Sequence, residues 1–255
     1  MQVVILAGGK GTRAYPFTEY LPKPMMPVCG KPMLVQIMRL FASQGHTEFI
    51  VSVGHRKEVI LDYFSNKDYE WDIKIVDTGE DTDTAGRIFN CRHLLRDRFL
   101  ATYGDGVCDV EVNKIIEFHD SHEGLATLTS VPLQSQYGTV ETNDTGCVTG
   151  FIEKPRLKSH WINAGFFVME KAIFDDWDGS NLEQQVLPKL TSKGKLFCYK
   201  HDGFFKSMDT QKDQKELEEM IEQGRVGNID LFKSNHHNVA FYHHEELESL
   251  ALNTK

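Results

Sequence analysis

The run Gln2-Val3-Val4-Ile5-Leu6-Ala7 stops on Gly8-Gly9-Lys10-Gly11-Thr12-Arg13, and this junction limits the fold more than any other feature of the chain. An unbroken β-branched run reads as a strand buried on both faces, and such strands belong to parallel sheets covered by helices. Glycines that follow at once let the backbone turn sharply and bring bare N–H groups up to an anion. Arg13 adds a guanidinium fork matched to phosphate oxygens. Two other phosphate loops are excluded by the same residues. A P-loop needs Gly-Lys-Ser/Thr, but Lys10 is followed by Gly11. Gly9-x-Gly11-x-x-Ala14 meets a loose dinucleotide fingerprint, which demands that a helix begin directly. Pro16, Pro22, Pro24 and Pro27 forbid that helix and predict an ordered set of turns up to Pro32.

Beyond the turns, Leu34, Ile37, Met38 and Phe41 recur at helical spacing and predict a helix over 33–43. Strands are expected at 48–53, 73–76 and 99–103, with helices at 57–64 and 86–95 between them. This alternation indicates an α/β fold with a parallel sheet. After about residue 124 strand-like segments crowd together (125–131, 138–141, 148–153, 161–169), and helical periodicity returns at 182–190 and 213–222. The expected architecture is α/β and Rossmann-like: a mixed, mainly parallel central sheet flanked by helices, richer in antiparallel pairs in its second half. Residues 1–225 read as one domain, and 226–255 as a weakly patterned, partly helical C-terminal extension. Its His236, His237, His243 and His244 are adjacent in pairs, which point to different sides of any helix or strand and so do not converge on one ion.

The charge balance, 28 basic against 37 acidic residues for a net −9, repels phosphate backbones and argues against a nucleic-acid partner. No apolar run approaches the roughly 20 residues of a membrane span. The N-terminus lacks the basic lead and apolar stretch of a signal peptide. Five scattered cysteines without a Cys-x-x-Cys pair fit reduced thiols better than disulfides or a zinc site. A soluble, cytoplasmic protein is expected.

Several residues carry chemistry. Pro22 and Pro24 restrict the backbone on either side of Lys23, holding its flexible stem over one point. Asp105, in Tyr103-Gly104-Asp105-Gly106, follows a strand where α/β sheets place ligand and metal groups, although turn aspartates are common there too. Asp209, just before a helix, suits either a ligand role or an N-cap. Two carboxylates from distant segments beside a phosphate loop suggest one Mg²⁺ held over a triphosphate. Arg87, Lys154 beside Pro155, and Asn163 are further candidates, with surface salt bridges or a turn as the plainer readings.

Together these residues resemble the sugar-1-phosphate nucleotidyltransferases (NDP-sugar pyrophosphorylases) over about residues 1–225. The resemblance rests on Leu6-Ala7-Gly8-Gly9-x-Gly11-Thr12-Arg13, Pro22-Lys23-Pro24-Met25, Gly30-Lys31-Pro32-Met33, Tyr103-Gly104-Asp105 and Glu153-Lys154-Pro155. Val76-Asp77-Thr78-Gly79, Ala85-Gly86-Arg87, Ile162-Asn163-Ala164-Gly165 and Met208-Asp209-Thr210 are similar to the branch that joins CTP to glucose-1-phosphate. The resemblance implies a nucleotidyltransferase fold and a direct attack by the acceptor phosphate on the α-phosphorus of CTP, releasing pyrophosphate. It assigns nucleotide binding to Leu6, Ala7, Gly8, Gly9, Gly11, Thr12, Arg13, Lys23, Arg87 (near the base), Gly104 and Asp105, with Arg13 and Lys23 catalytic. Lys154, Asn163, Gly165 and Glu183 face the phosphorylated acceptor by the same resemblance, and Asp105 and Asp209 hold Mg²⁺. It further implies an assembly of identical chains and a place in nucleotide-sugar and polysaccharide synthesis.

Some positions depart from that branch. Only a short polar loop separates Phe64 from Val76, Phe204-Phe205 and Glu183-Gln184-Gln185 differ from the usual residues, and 156–161 is more basic and aromatic. These changes keep open a non-sugar phosphate or phosphonate acceptor. A non-catalytic regulatory homologue is the other alternative, and the joint presence of Arg13, Lys23, Asp105 and Asp209 counts against it.

Overall fold

The structure, a computed structural model, describes residues 1–227 other than 16 and 68, so the expected histidine-bearing tail lies outside the described residues. The first half of the chain runs β1 (Gln2–Leu6), β2 (Pro27–Val28), β3 (Lys31–Pro32), α1 (Met33–Ala42), β4 (Glu48–Val53), α2 (Lys57–Ser65), β5 (Asp72–Asp77), α3 (Thr84–Cys91) and β6 (Arg98–Tyr103). The second half adds β7 (Gly106–Cys108), α4 (Val112–Asp120), β8 (Ala126–Gln134), β9 (Thr139–Thr142), β10 (Val148–Ile152) and β11 (Arg156–Glu170). It closes with α5 (Leu187–Ser192), β12 (Leu196–Lys200), β13 (Phe205–Ser207) and α6 (Gln211–Glu222).

Seven strands form one sheet in the order β12-β8-β11-β6-β1-β4-β5. The pairs β1–β4, β1–β6, β4–β5 and β8–β12 are parallel. Only β11 runs against its neighbours, pairing antiparallel with β6 and β8. The mixed, mainly parallel sheet expected from the sequence is therefore present. Successive side chains of β1 enter opposite layers, as the period of two requires. Val3 and Ile5 join Leu34, Ile37 and Phe41 of α1, whereas Val4 joins Ala85 and Ile88 of α3 on the other face. Both faces are thus dry, which is why β1 needs no polar alternation.

The proline-rich stretch forms short 3₁₀ turns, at Phe17–Glu19 and Lys23–Met25, as the prolines dictate. The loop between α2 and β5 is not simply polar. Tyr69 and Trp71 stack at 4.9 Å, and Tyr63 and Phe64 pack edge-on at 5.2 Å. Two elements have little signature in the sequence. In α4 the buried stripe is Val112, Ile115 and His119, so a histidine bonded to Thr127 takes a core position and hides the period. β12 is an edge strand with partly exposed side chains. The helix expected at 182–190 opens with a π turn, Leu182–Val186, before α5. No helix among the described residues is long and apolar enough to cross a membrane.

Candidate active site

The parallel strands β1, β4, β5 and β6 end on one edge of the sheet, where ligands of open α/β sheets bind. The glycine loop leaves β1 there. Ala7 N–H bonds to Ser52 O at 2.8 Å and His55 N–H to Gly8 O at 3.0 Å, which clips the loop to the end of β4. Gly104 N–H bonds to Leu6 O at 3.0 Å and ties the end of β6 to the same loop. A Cβ at Gly104 would sit 2.8 Å from that carbonyl, and Gly11 holds a left-handed φ of 60°. Gly9 faces open space, leaving bare backbone available to a ligand. Thr12 and Arg13 follow on a 3₁₀ turn, both exposed.

Lys23 is 6 % exposed, and its ammonium reaches across the loop. It donates to Asp105 Oδ2 at 2.7 Å and to Asp209 Oδ1 at 2.6 Å, while Arg13 pairs with Asp209 Oδ2 at 3.2 Å. Four charged residues from three distant segments therefore converge on one point. The possible capping role of Asp209 falls to its neighbour. Thr210 is the N-cap of α6 and forms a reciprocal capping box with Asp213, which leaves the Asp209 carboxylate to Lys23 and Arg13. Asp105 follows β6, and its carbonyl accepts from Met208 N–H at 2.8 Å, so the β7–β13 ribbon locks the two aspartates together. Both carboxylates face a single cation position, a donor set that fits a hard divalent ion such as Mg²⁺.

Arg87 stands behind the glycine loop, 3 % exposed. Its guanidinium donates to Gly8 O (2.8 Å), Val53 O (3.3 Å), Gly79 O (3.1 Å), Glu80 O (3.2 Å) and Thr78 Oγ1 (2.9 Å). All five acceptors belong to the protein, so the residue read as lying near the base is a strut joining the loops after β1, β4 and β5. Burial pulls its pKa below the ordinary arginine value, against the opposing pull of Asp83 and Asp77. A Cβ at Gly8 would fall 1.9 Å from Arg87 Nη1. Because the guanidinium is pinned, Gly8→Ala is expected to destabilise the chain by about 2 kcal/mol, roughly 5 °C in Tm. An unchanged thermal melt would show that the strut can move aside.

A second cluster lies beside the aspartates. Tyr103, at the end of β6, donates its hydroxyl to Glu183 and accepts from Asn163 Nδ2 at 3.1 Å. Thr84 Oγ1 donates to the other Glu183 oxygen at 2.8 Å. Burial, and then the Glu183 carboxylate, push the Tyr103 pKa well above the ordinary phenol value. Gly165 lies in a bulge of β11 with φ 78°, where a Cβ would be 2.1 Å from the Tyr103 ring. Asn163, Gly165 and Glu183 are thus brought together around Tyr103. Tyr103 itself had no role in the sequence reading, although it stands in the Tyr-Gly-Asp motif. Lys154 is not joined to this group. It sits exposed with φ 47°, its carbonyl accepting from Gln134, and its side chain makes no ion pair or hydrogen bond among the described residues. Arg156 and Lys158, from the basic stretch, pair with Asp202. A cleft of ≈ 350 Å³ lined by Gly54, His55, Asp77, Gly79 and Glu80, among others, opens beside the glycine loop.

The family model for nucleotidyl transferases matches residues 2–204, which takes in Arg13, Lys23, Asp105 and the Tyr103 cluster and stops short of Asp209. The chain belongs to the nucleotidyl transferase family. Among relatives of this nucleotidyltransferase, glucose-1-phosphate cytidylyltransferase of Salmonella typhimurium is 36 % identical over 89 % of this chain and 98 % of its own length. A probable glucose-1-phosphate cytidylyltransferase of Bacillus subtilis is 35 % identical over 88 % of this chain and 98 % of its own. The crystal structure of HddC from Yersinia pseudotuberculosis superposes with a TM-score of 0.68 at 26 % identity, covering 86 % of this chain and 98 % of that one. HddC has also been solved in complex with GMP-PN.

Proposed function

We propose that this nucleotidyltransferase condenses CTP with a hexose-1-phosphate, glucose-1-phosphate foremost, to give a CDP-sugar and pyrophosphate. The observation that carries the reading is the convergence of Arg13, Lys23, Asp105 and Asp209 beside a bare glycine loop. A phosphate oxygen of the acceptor is already ionised at neutral pH, so the protein needs no nucleophile of its own. It has to bring two anions together and neutralise the charge that builds at the α-phosphorus. The glycine-loop N–H groups and Arg13 cradle the β- and γ-phosphates. Lys23 moves its ammonium from the carboxylates to the α-phosphate. Asp105 and Asp209 would hold Mg²⁺, which supplies electrostatic stabilisation of the phosphates when bound. Asn163, Tyr103 and Glu183 present the neutral donors and the carboxylate acceptor that suit sugar hydroxyls. The cleft beside the loop carries Asp77 and Glu80 on its rim. These carboxylates accept from the exocyclic amine of cytosine, where uracil presents another acceptor.

The test is pyrophosphate release from CTP, UTP, dTTP, ATP and GTP, each crossed with a panel of phosphorylated acceptors. CTP with glucose-1-phosphate is expected to exceed every other pair at least about tenfold in kcat/KM, the scale of one lost specific contact. Turnover with CTP but with no sugar-1-phosphate would shift the acceptor to a non-sugar phosphate or phosphonate. Turnover led by another nucleotide would overturn the assignment of the base.

A further inference from the structure

We propose that Cys108, Asp109 and His201 form a second metal site, distinct from the Asp105–Asp209 pair, that takes a single Zn²⁺ ion. The fold brings these residues together from far apart in sequence. β7 and β13 form a short antiparallel ribbon, pairing Gly106 with Ser207 at one end and Cys108 with Phe205 at the other. The first end adjoins the two active-site aspartates. The second meets His201, which follows β12 on the outer edge of the large sheet.

The Cys108 sulfur, an Asp109 carboxylate oxygen and a His201 ring nitrogen all lie within 4.8 Å of one another. His201 Nε2 and Asp109 Oδ1 are 2.6 Å apart. Bonds of about 2.0–2.3 Å in a tetrahedral zinc site set ligand atoms roughly 3.3–3.8 Å apart. Shifts of about 1 Å at most would therefore close the triad on an ion. Sulfur, imidazole and carboxylate together select zinc over the hard ions that suit the all-oxygen aspartate pair, and three protein ligands leave a fourth position for water.

One feature of the surroundings favours an ion here. Bare backbone closes round two of the ligands. A Cβ at Gly203 would stand 2.3 Å from His201 Nε2 and 2.4 Å from Asp109 Oδ1, and one at Gly227 2.6 Å from Asp109 Oδ2. Charge balances as well: Zn²⁺ displaces the thiol proton to solvent, forms the Zn–S bond, and is neutralised by one thiolate and one carboxylate with a neutral imidazole. Cys108 is 2 % exposed, whereas Asp109 and His201 are only half-buried and give the ion its way in.

The test is Co²⁺ titration of the chelator-treated full-length chain, with cobalt as a spectroscopic stand-in for zinc. One equivalent is expected to raise a thiolate-to-cobalt charge-transfer band that one equivalent of Zn²⁺ abolishes. Cys108→Ser and His201→Gln are each expected to lose the band with the circular dichroism unchanged, and Asp105→Asn to keep it. If Cys108→Ser fails to fold, His201→Gln decides. Absence of the band in the wild type, its survival in Cys108→Ser, or its loss in Asp105→Asn would each overturn the proposal. None of these readouts depends on turnover, so they stand apart from the nucleotidyl-transfer reading.

Discussion

Lys23→Ala is expected to lower kcat/KM by about 10²–10³-fold, the scale of one preorganised electrostatic donor removed from a transferring group. The side chain is 8 % exposed and flanked by Pro22 and Pro24, and its ammonium alone bonds both carboxylates, Arg13 reaching only Asp209. Without substrate its ammonium lies between Asp105 and Asp209 and offsets the repulsion of two carboxylates that face one another. On the proposed mechanism the same charge is needed at the α-phosphate during transfer. The variant should therefore lose rate without requiring more Mg²⁺, since the competitor for the carboxylate oxygens has gone. Initial rates of pyrophosphate release across a Mg²⁺ series separate the two effects. Near-normal turnover in Lys23→Ala would remove this residue from the mechanism. Lys23→Arg is not expected to rescue it, because a planar fork does not reproduce a compact point charge in a closed space.

Asp105→Asn should abolish measurable transfer, a loss of at least about 10³-fold, while Tm stays within a few degrees of the wild type. Asparagine keeps the size of the side chain but not its charge. The backbone bond from Met208 N–H to the Asp105 carbonyl at 2.8 Å survives, so the ribbon that aligns the site persists. Lys23 retains Asp209 as a partner. Rate measurements paired with circular dichroism test the claim, and normal turnover in a folded Asp105→Asn chain would sink the assignment of this carboxylate to a metal.

Much of the glycine loop and of the Lys23 turn was legible because their residues are local to motifs. The β1 strand, the glycine turn and the Pro-Lys-Pro segment each carry their structure in a few adjacent residues. Asp209 was ambiguous in the sequence, since Asp and Thr are both good N-caps and stand side by side at 209 and 210; only the fold shows Thr210 taking the cap. The strut-like bonding of Arg87 was hidden for a related reason. An arginine near a phosphate loop looks like a ligand until its five protein acceptors are seen, and those come from three segments that no local pattern connects. The cluster around Tyr103 was half legible. Asn163, Gly165 and Glu183 could be named, but Tyr103, which joins them, sits in a motif whose aspartate draws the attention. α4 was hidden because a histidine fills one of its core positions.

The strand order has a consequence for how such a chain can diversify. The groups read as holding the nucleotide come almost wholly from residues 6–105, while those read as facing the acceptor come chiefly from β11 and the π turn that precedes α5. The two sets meet at β6, where Tyr103 faces the acceptor side and Asp105 the metal side. Tyr103 and Asp105 at the end of that strand, with Thr84 of α3 bonded to Glu183, form the seam. β11 also tolerates extra residues between Leu157 and Trp161 and again between Asn163 and Phe167 without losing its pairing with β8. The Tyr103 side of the site can therefore change by insertion and substitution along one reversed strand, leaving the Lys23–Asp105–Asp209 cluster in place. If the proposed assignments hold, a chimera cut at that seam inherits its nucleotide preference from one parent and its acceptor preference from the other.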